Sequence, residues 1–288
     1  MTNHDPDRTS LPPESVRTIV RERYGSIPAA AAAAASASPA SAACCGPAST
    51  GCCGPSATDA EATARALGYS AADTAAAPAG SNLGLGCGNP LGIQSLRPGD
   101  TVLDLGSGAG FDAFLAARAV GPTGRVIGVD MTPEMLTAAR ANIARSRLAN
   151  VEFRLGEIEN LPIADASIDV ILSNCVVNLS PEKARVFAEA FRVLRPGGRL
   201  SISDIVALGE LPPAVRADLE LHAGCVAGAA TIPALQALLD KVGFVDVRIE
   251  PKTELQPVVD GWFPGRGVAG MVASANITAR KPGTRHAT

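Results

Sequence analysis

Short apolar runs alternate with longer segments of helical pattern from about residue 81 to residue 208. The apolar runs predict strands at residues 101–105, 125–129, 151–155, 168–173 and 199–206. Helical patterns fill the intervals, and one apolar-faced helix is predicted at residues 111–120. Strands that alternate with helices in this way indicate βαβ units and a parallel sheet of the α/β class.

Two of the predicted helices begin with a hydroxyl residue followed by proline. Thr132 and Ser180 are each followed by Pro-Glu. A serine or threonine N-cap with proline at the first helical position is a common helix start. The helix after Ser180 is expected to stop at the Pro-Gly-Gly segment of residues 196–198.

The flanking regions differ in composition. A short helix is predicted at residues 13–24, and residues 29–43 have the composition of an Ala/Ser/Pro linker. Two Cys-Cys-Gly-Pro units follow, in a segment with few bulky side chains that is expected to be mobile. After residue 208, strands are predicted at 244–249 and 271–279. The predicted division is an N-terminal helix and linker (1–80), an α/β domain (81–208) and a smaller C-terminal completing region (209–288).

Charge and hydropathy exclude several functional classes. The net charge of −3 and the scattered basic residues give no footprint for nucleic acid or a membrane surface. No apolar run approaches the roughly 20 residues that span a bilayer, and the polar N-terminus does not read as a signal peptide. We therefore expect a cytoplasmic monomer. In that reducing compartment the seven cysteines are expected to be catalytic or metal-binding.

A glycine-rich loop follows the first predicted strand and opens the first helix. Asp104 is followed by Gly106, Ser107, Gly108 and Gly110. Glycines allow a sharp turn and close approach of a ligand to a helix N-terminus. A tight turn between strand and helix is the alternative interpretation of such a loop on its own.

An acid at the end of the second predicted strand strengthens the interpretation of this loop as a cofactor site. Asp130 lies about 20 residues beyond the loop, where a carboxylate can bind ribose hydroxyls. Asp130 could instead cap the next helix, but Thr132 already fills that position.

The loop reads acid-x-Gly-x-Gly-x-Gly and not the dinucleotide pattern Gly-x-Gly-x-x-Gly. Here the chain resembles the class I S-adenosylmethionine-dependent methyltransferases. The resemblance implies a Rossmann-like sheet with helices on both faces and S-adenosyl-L-methionine as cofactor. It implies that the loop faces the methionine and sugar, and that Gly156-Glu157-Ile158 contacts adenine. The residues expected to bind the cofactor are Asp104, Gly106, Ser107, Gly108, Gly110, Asp130, Met131, Glu157, Ile158 and Asn174.

Three cysteines lie among small residues in separate segments. Cys175 ends the fourth predicted strand at the cofactor edge, Cys87 lies in a glycine-dense turn, and Cys225 is flanked by Gly and Val. Cys175 on its own could be a buried small apolar residue, whereas the small residues around Cys87 and Cys225 are expected to leave their sulfurs outside the core. Together they favour a soft ion. Four thiolates would favour tetrahedral zinc, whereas three beside a methyl donor suit a pyramidal As(III) trithiolate.

Three segments make the resemblance more specific. Residues 82–90 (NLGLGCGNP), 173–179 (SNCVVNL) and 224–229 (GCVAGA) resemble the arsenite S-adenosylmethionine methyltransferases. That family implies that Cys87, Cys175 and Cys225 bind arsenic and undergo redox chemistry. It implies a small arsenical substrate, detoxification, and a thiol reductant such as thioredoxin or glutathione. It also implies that one N-terminal cysteine exchanges thiols, chosen from Cys44, Cys45, Cys52 and Cys53.

Several alternatives stay open at this point. One is a methyltransferase for a quinone or an alcohol, and another is a thiol protein that sequesters or senses arsenic or zinc. His222 could pair with Cys225 on zinc, or be a solvated or locally bonded histidine. The Cys-Cys-Gly-Pro units could bind zinc or serve as a flexible thiol reservoir. Trp262, the only tryptophan, is expected to pack as an anchor.

Overall fold

The computed structural model describes residues 11–36, 57–93 and 95–283. Within these ranges one seven-stranded sheet has the strand order β3-β2-β1-β4-β5-β7-β6. The strands are β1 (Thr101–Leu105), β2 (Arg125–Asp130), β3 (Val151–Leu155), β4 (Ile168–Asn174), β5 (Leu194–Ala207), β6 (Val245–Pro251) and β7 (Val272–Arg280).

Ten α-helices lie in the part of the chain that the structure describes. They are α1 (Pro13–Ser36), α2 (Ala57–Ala66), α3 (Ala71–Ala76), α4 (Phe111–Val120), α5 (Pro133–Ser146), α6 (Lys183–Val193), α7 (Pro213–Arg216), α8 (Leu219–Ala223), α9 (Ile232–Val242) and α10 (Gln256–Asp260). None of the helices in these ranges is both long and apolar enough to cross a membrane.

Strands β1 to β5 pair in parallel, which confirms the predicted Rossmann-like α/β fold. Strand β7 pairs antiparallel with β5, and β6 pairs antiparallel with β7. The last two strands, from the region after residue 208, thus extend this sheet. The strand order reverses between β1 and β4, and open α/β sheets bind ligands at the carboxyl ends of the strands at such a point.

Apolar side chains cover both faces of the sheet, as a buried parallel sheet requires. On one face Phe114 of α4 and Leu136 of α5 pack against Phe153 of β3. On the other face Phe187 of α6 and Leu239 of α9 pack in a second cluster with residues of β1, β4 and β5. The predicted helices on both faces are therefore present.

The N-terminal helix is longer than the sequence predicted. Helix α1 runs from Pro13 to Ser36, through Pro28 and eight residues of the predicted linker 29–43. Alanine has the highest intrinsic helix propensity, so an Ala-rich run next to an existing helix extends that helix. The linker assignment was wrong for residues 29–36. The rest of the linker, with Cys44, Cys45, Cys52 and Cys53, lies outside the described residues.

One predicted helix start is confirmed and the other is wrong. Thr132 occupies the N-cap position of α5, with proline next. Ser180 is not a cap, because α6 begins only at Lys183. The Ser180 hydroxyl instead donates to Glu159 at 2.6 Å and accepts from the backbone of Glu182. The Ser180 hydroxyl is thus hydrogen-bonded to the buried Glu159 carboxylate and does not cap α6, contrary to what the sequence pattern predicts.

Helix α1 is held against the carboxyl edge of the sheet by ion pairs. Arg17 donates to Glu182 at 2.7 Å and lies 3.8 Å from both Glu157 and Glu159. Arg21 donates to Glu157 at 2.5 Å. Because Arg17 is only 16% exposed and Glu159 only 6%, these charges are screened by solvent much less than surface pairs.

We expect Arg17→Ala to loosen α1, since it leaves the buried Glu159 carboxylate without its cation. Loss of one partner of a part-buried charged pair costs about 1–2 kcal/mol, which corresponds to roughly tenfold faster hydrogen exchange of the α1 amides. Exchange measured by mass spectrometry checks this. Arg65→Ala, which removes an exposed pair with Glu61, is the control and should leave α1 unchanged. Equal rates of hydrogen exchange for the α1 amides in wild type and Arg17→Ala would contradict the role of Arg17 in holding α1 against the sheet.

Candidate active site

A cavity of about 560 Å³ opens at the carboxyl ends of β1, β2 and β4. Its volume is within the range of small-molecule sites. The predicted site residues in its wall are Asp104, Gly106, Ser107, Gly108, Asp130, Met131, Ile158, Asn174, Cys175 and Cys225. Three other predicted residues, Gly110, Glu157 and Cys87, do not line it.

The glycine loop folds as the sequence requires. Gly106, Gly108 and Gly110 have φ of 65°, 51° and 96°, in the left-handed region that favours glycine. A Cβ on Gly106 would lie 2.4 Å from Val176, and a Cβ on Gly110 would lie 2.6 Å from Phe153. No side chain caps α4 after this loop. The backbone of Gly106 and Gly108 therefore lines the cavity. Gly110 lies outside the wall and lets the loop pack against Phe153.

Asp130 is fixed at the end of β2 by the backbone. Its carboxylate oxygens accept from the N–H groups of Gly108 at 2.9 Å and Thr132 at 2.8 Å. Burial raises its pKa despite these hydrogen bonds. The carboxylate has lone pairs left for a ligand in the cavity, which is the arrangement that ribose hydroxyls require.

Asp104 carries an unsatisfied acceptor. Its side chain is 3% exposed, and Oδ2 has no hydrogen-bond partner among the described residues. Burial raises its pKa well above the usual range, and the charges of Asp112 and Asp130 raise it further. Buried polar atoms are nearly always hydrogen-bonded. A ligand with a cationic donor, such as the ammonium of S-adenosylmethionine, fits this position.

The adenine region differs in one respect from the expected contacts. Ile158 lines the cavity, but the Glu157 carboxylate pairs with Arg17 and Arg21 of α1. Glu159, which the sequence pattern did not predict as a site residue, lines the cavity instead. No spacing signal marks Glu159, because its burial depends on α1 and on Ser180 from other parts of the chain.

The three predicted cysteines come together beside this cavity. The Cys225 thiol donates to the Cys175 carbonyl at 3.0 Å. The sulfurs of Cys87 and Cys175 and a carboxylate oxygen of Asp204 lie within 4.8 Å of one another. Cys175 and Cys225 face the cavity, and Cys87 lies behind them.

An unusual backbone conformation places two of these thiols. Cys175 and Cys225 have φ of 61° and 66°, which is uncommon for residues with a Cβ. The N–H of Cys175 donates to Ser203 O at 2.8 Å, and the Cys87 thiol donates to the same carbonyl at 3.4 Å. Such conformations persist only where surrounding contacts hold them, and they cluster at functional sites.

The thiols are protonated at neutral pH. Burial raises the pKa of Cys87 to about 11. The hydrogen bond with Cys175 and burial raise the pKa of Cys225 well above the usual range. At Cys175 the hydrogen bond from Cys225 lowers the pKa, but the one with Cys87 and burial together outweigh it. Burial also raises the pKa of Asp204 to about 6.

Three aromatic side chains form the wall near the thiols. Tyr24 of α1 lines the cavity and donates to Ala223 O at 3.3 Å. Trp262 packs, as predicted, in the cluster that contains Cys225, and it also lines the cavity together with Phe263. Tyr24 lies 151 positions from Cys175, so no local sequence pattern predicts that the two residues share a cavity wall.

His222 is neither solvated nor in the cavity wall. It is fully buried, and Nε2 lies 3.3 Å from Leu179 O. Burial lowers its pKa to about 4, so the ring is neutral. Of the expected alternatives, the bonded histidine is the one found, because α8 places this residue in the core beside Leu179 O.

Comparison with known proteins supports the interpretation of this cavity as the site of a methyltransferase. A family model described as "Methyltransferase domain" matches residues 96–254. The arsenite methyltransferase of Halobacterium salinarum is 50% identical over 271 residues, which cover 94% of this chain and 68% of that protein. The human arsenite methyltransferase is 38% identical over 173 residues, 57% of this chain and 46% of that one.

A solved structure of a protein with the same named activity is also similar to this chain. The crystal structure of an arsenic(III) S-adenosylmethionine methyltransferase from Chlamydomonas reinhardtii is 37% identical and has a TM-score of 0.57. It covers 78% of this chain and 74% of that one. The chain therefore spans from about half to three quarters of these relatives, and it belongs to the arsenite methyltransferase family of S-adenosylmethionine-dependent methyltransferases.

Proposed function

We propose that this enzyme transfers the methyl group of S-adenosylmethionine to trivalent arsenic held by Cys87, Cys175 and Cys225. The observation that carries the proposal is the convergence of cysteines from three separate segments. The sulfurs of Cys87 and Cys175 lie within 4.8 Å of each other, the Cys225 thiol donates to the Cys175 carbonyl, and Cys175 and Cys225 line the cofactor cavity. Relatives named arsenite methyltransferases support the choice of substrate. Methylarsenite, with fewer exchangeable groups, would be the second substrate.

Arsenite would enter as neutral As(OH)₃. Each As–S bond forms as one hydroxide leaves arsenic, and the proton of that thiol joins the hydroxide to give water. Because the raised pKa values keep all three thiols protonated, this exchange releases no net proton to solvent. Thiolate binding of arsenic thus needs no base in the site.

S-adenosylmethionine supplies an electrophilic methyl group when bound, and the arsenic lone pair is the nucleophile that accepts it. The chain contributes orientation. The glycine loop and Asp130 hold the cofactor, while Cys175 and Cys225 present arsenic at the cavity wall. Tyr24, Trp262 and Phe263 exclude water from that wall. Holding both reactants in one geometry supplies a large part of such rate enhancements.

Methyl transfer leaves arsenic pentavalent. Two of the three thiols can return it to the trivalent state by closing a disulfide, and an outside thiol such as thioredoxin or glutathione would reduce that disulfide. One of the N-terminal cysteines would take part in thiol–disulfide exchange with this site. The candidates are Cys44, Cys45, Cys52 and Cys53. We propose this cycle as a detoxification activity of a monomer in the cytoplasm.

A second function has an observation in its favour. Cys87, Cys175 and Asp204 form a group that could hold a metal ion such as zinc. Sequestration of a divalent ion would need no methyl donor, whereas the chain builds a complete cofactor cavity next to the thiols. Methyl transfer is therefore the better-supported function.

Cys175→Ser is expected to abolish arsenic methylation, to below about 1% of wild-type turnover, because groups that act as a unit fail together. The assay combines protein, arsenite, S-adenosylmethionine and a thiol reductant, and separates the arsenic products. Binding of S-adenosylhomocysteine should persist, since the substitution changes one atom in the cavity wall. Turnover close to that of wild type would exclude the trithiolate site.

Proton release distinguishes arsenic from zinc as the bound ion. Calorimetry at pH 7 in buffers of different ionisation enthalpy should show almost no proton released per As(III), and about two or more per Zn²⁺. Since the thiol pKa values are raised, the thiols stay protonated and the affinity for As(III) should stay flat from pH 6 to 8. Tight zinc binding without methyl transfer to arsenic would favour sequestration.

A further inference from the structure

The amide of Asn174 connects the cofactor cavity to the loop that carries Cys87. Asn174 is the last residue of β4 and lines the cavity. Its Oδ1 accepts from the backbone N–H of Cys87 at 3.0 Å. On the other side of the same amide, Nδ2 lies 2.9 Å from Gly88 O. The Asn174 side chain thus bonds the backbone of both Cys87 and Gly88, and so fixes the part of the loop that positions the Cys87 sulfur.

The Nδ2 donor of Asn174 has more acceptors than hydrogens. Besides Gly88 O, it lies 3.0 Å from Tyr69 Oη and 3.2 Å from Asp112 Oδ2. A primary amide has two N–H groups, so three acceptors compete for two hydrogens. The strength of the bond to Gly88 therefore depends on how strongly Asp112 attracts the amide.

Asp112 is the member of this network that a bound ligand can reach. It lines the cavity near Asp104, whose Oδ2 has no partner among the described residues. Asp112 is 7% exposed, and Tyr69 Oη donates to its Oδ1 at 2.5 Å. Burial raises its pKa to about 6, against hydrogen bonds that lower it, so it is ionised at pH 7.5. A cation in the cavity would compete with Asn174 for this carboxylate.

The loop has little freedom to absorb a change in Asn174. A Cβ on Gly86 would lie 2.9 Å from Asn174 Nδ2, and a Cβ on Gly88 would lie 2.1 Å from Ser203 Oγ. Ser274 donates to Cys87 O at 2.5 Å from the opposite side. Because the loop is packed between Asn174 and these serines, a stronger bond from Asn174 holds Cys87 more firmly.

We propose that Asp112 and Asn174 are positioning residues that couple occupancy of the cofactor cavity to As(III) binding at the thiols. A ligand whose cationic amino-acid end lies at Asp104 and Asp112 draws the Asp112 carboxylate from the amide, leaves Asn174 bonded to Gly88, and so increases the affinity for As(III). The inference rests on the proposed function. Because coupling between two sites is reciprocal, As(III) also increases the affinity for that ligand by the same factor.

The wild-type enzyme provides the first test. As(III) is titrated at pH 7.5 under reducing conditions, and binding is followed by the fluorescence of Trp262, the only tryptophan, which lines the cavity. The titration is done alone, with S-adenosylhomocysteine, and with 5′-methylthioadenosine, which has no amino-acid end. We expect S-adenosylhomocysteine to raise the As(III) affinity about fivefold or more over methylthioadenosine.

Asp112→Asn isolates the carboxylate, because it keeps the size of the side chain and removes its charge. In this variant the two nucleosides should give the same As(III) affinity. Ser274→Ala is the matched control, since it loosens the Cys87 loop from the side away from the cavity. It should weaken As(III) binding in every state and keep the ratio between the two nucleosides.

The outcomes separate this inference from the proposed function. Equal As(III) affinity with both nucleosides in wild type overturns the coupling and leaves methyl transfer in place. A ratio that persists in Asp112→Asn overturns the role of Asp112. If As(III) does not bind in any state, the proposed function fails and the coupling fails with it.

Discussion

The register of β4 between β1 and β5 determines where the reactive groups lie. Leu105 pairs with Ser173, and Asn174 pairs with Ser203. This register brings the glycine loop, the Asn174 amide and the Cys175 thiol to one edge of the sheet. A shift of one residue would reverse the faces of all these side chains. It would also break the hydrogen bond from Cys175 to Ser203.

The same edge concentrates groups that are costly to bury. Asp104, Asp112 and Asp204 are each almost inaccessible to solvent, and burial raises the pKa of all three. Buried charges without full hydrogen bonding destabilise a fold. The apolar clusters on both faces of the sheet offset this cost. Ligand binding that satisfies Asp104 is thus expected to stabilise the folded state as well as to bring the reactants together.

Local patterns in the sequence were enough to predict the parallel strands, the glycine loop and Asp130, because each depends on neighbours in the chain. The cysteines could be found since small residues flank them. The partners of Asn174 could not, because Tyr69 is 105 positions away and Asp112 is 62. Their contacts arise only when β4 and α4 are packed together. The length of α1 was underestimated because alanine is typical both of linkers and of helices.

The matched family segment, residues 96–254, does not include Tyr24, Tyr69 or Cys87. One thiol, part of the cavity wall and the Tyr69 partner of Asp112 therefore lie N-terminal to that segment, whereas Cys175 and Cys225 lie within it. The acceptor side of the site is thus assembled from both parts of the chain, while the glycine loop and Asp130 lie entirely within the matched segment. The ion pairs of Arg17 hold α1, which carries Tyr24, against the carboxyl edge of the sheet. Engineering of a new acceptor would accordingly begin with α1 and the Cys87 loop.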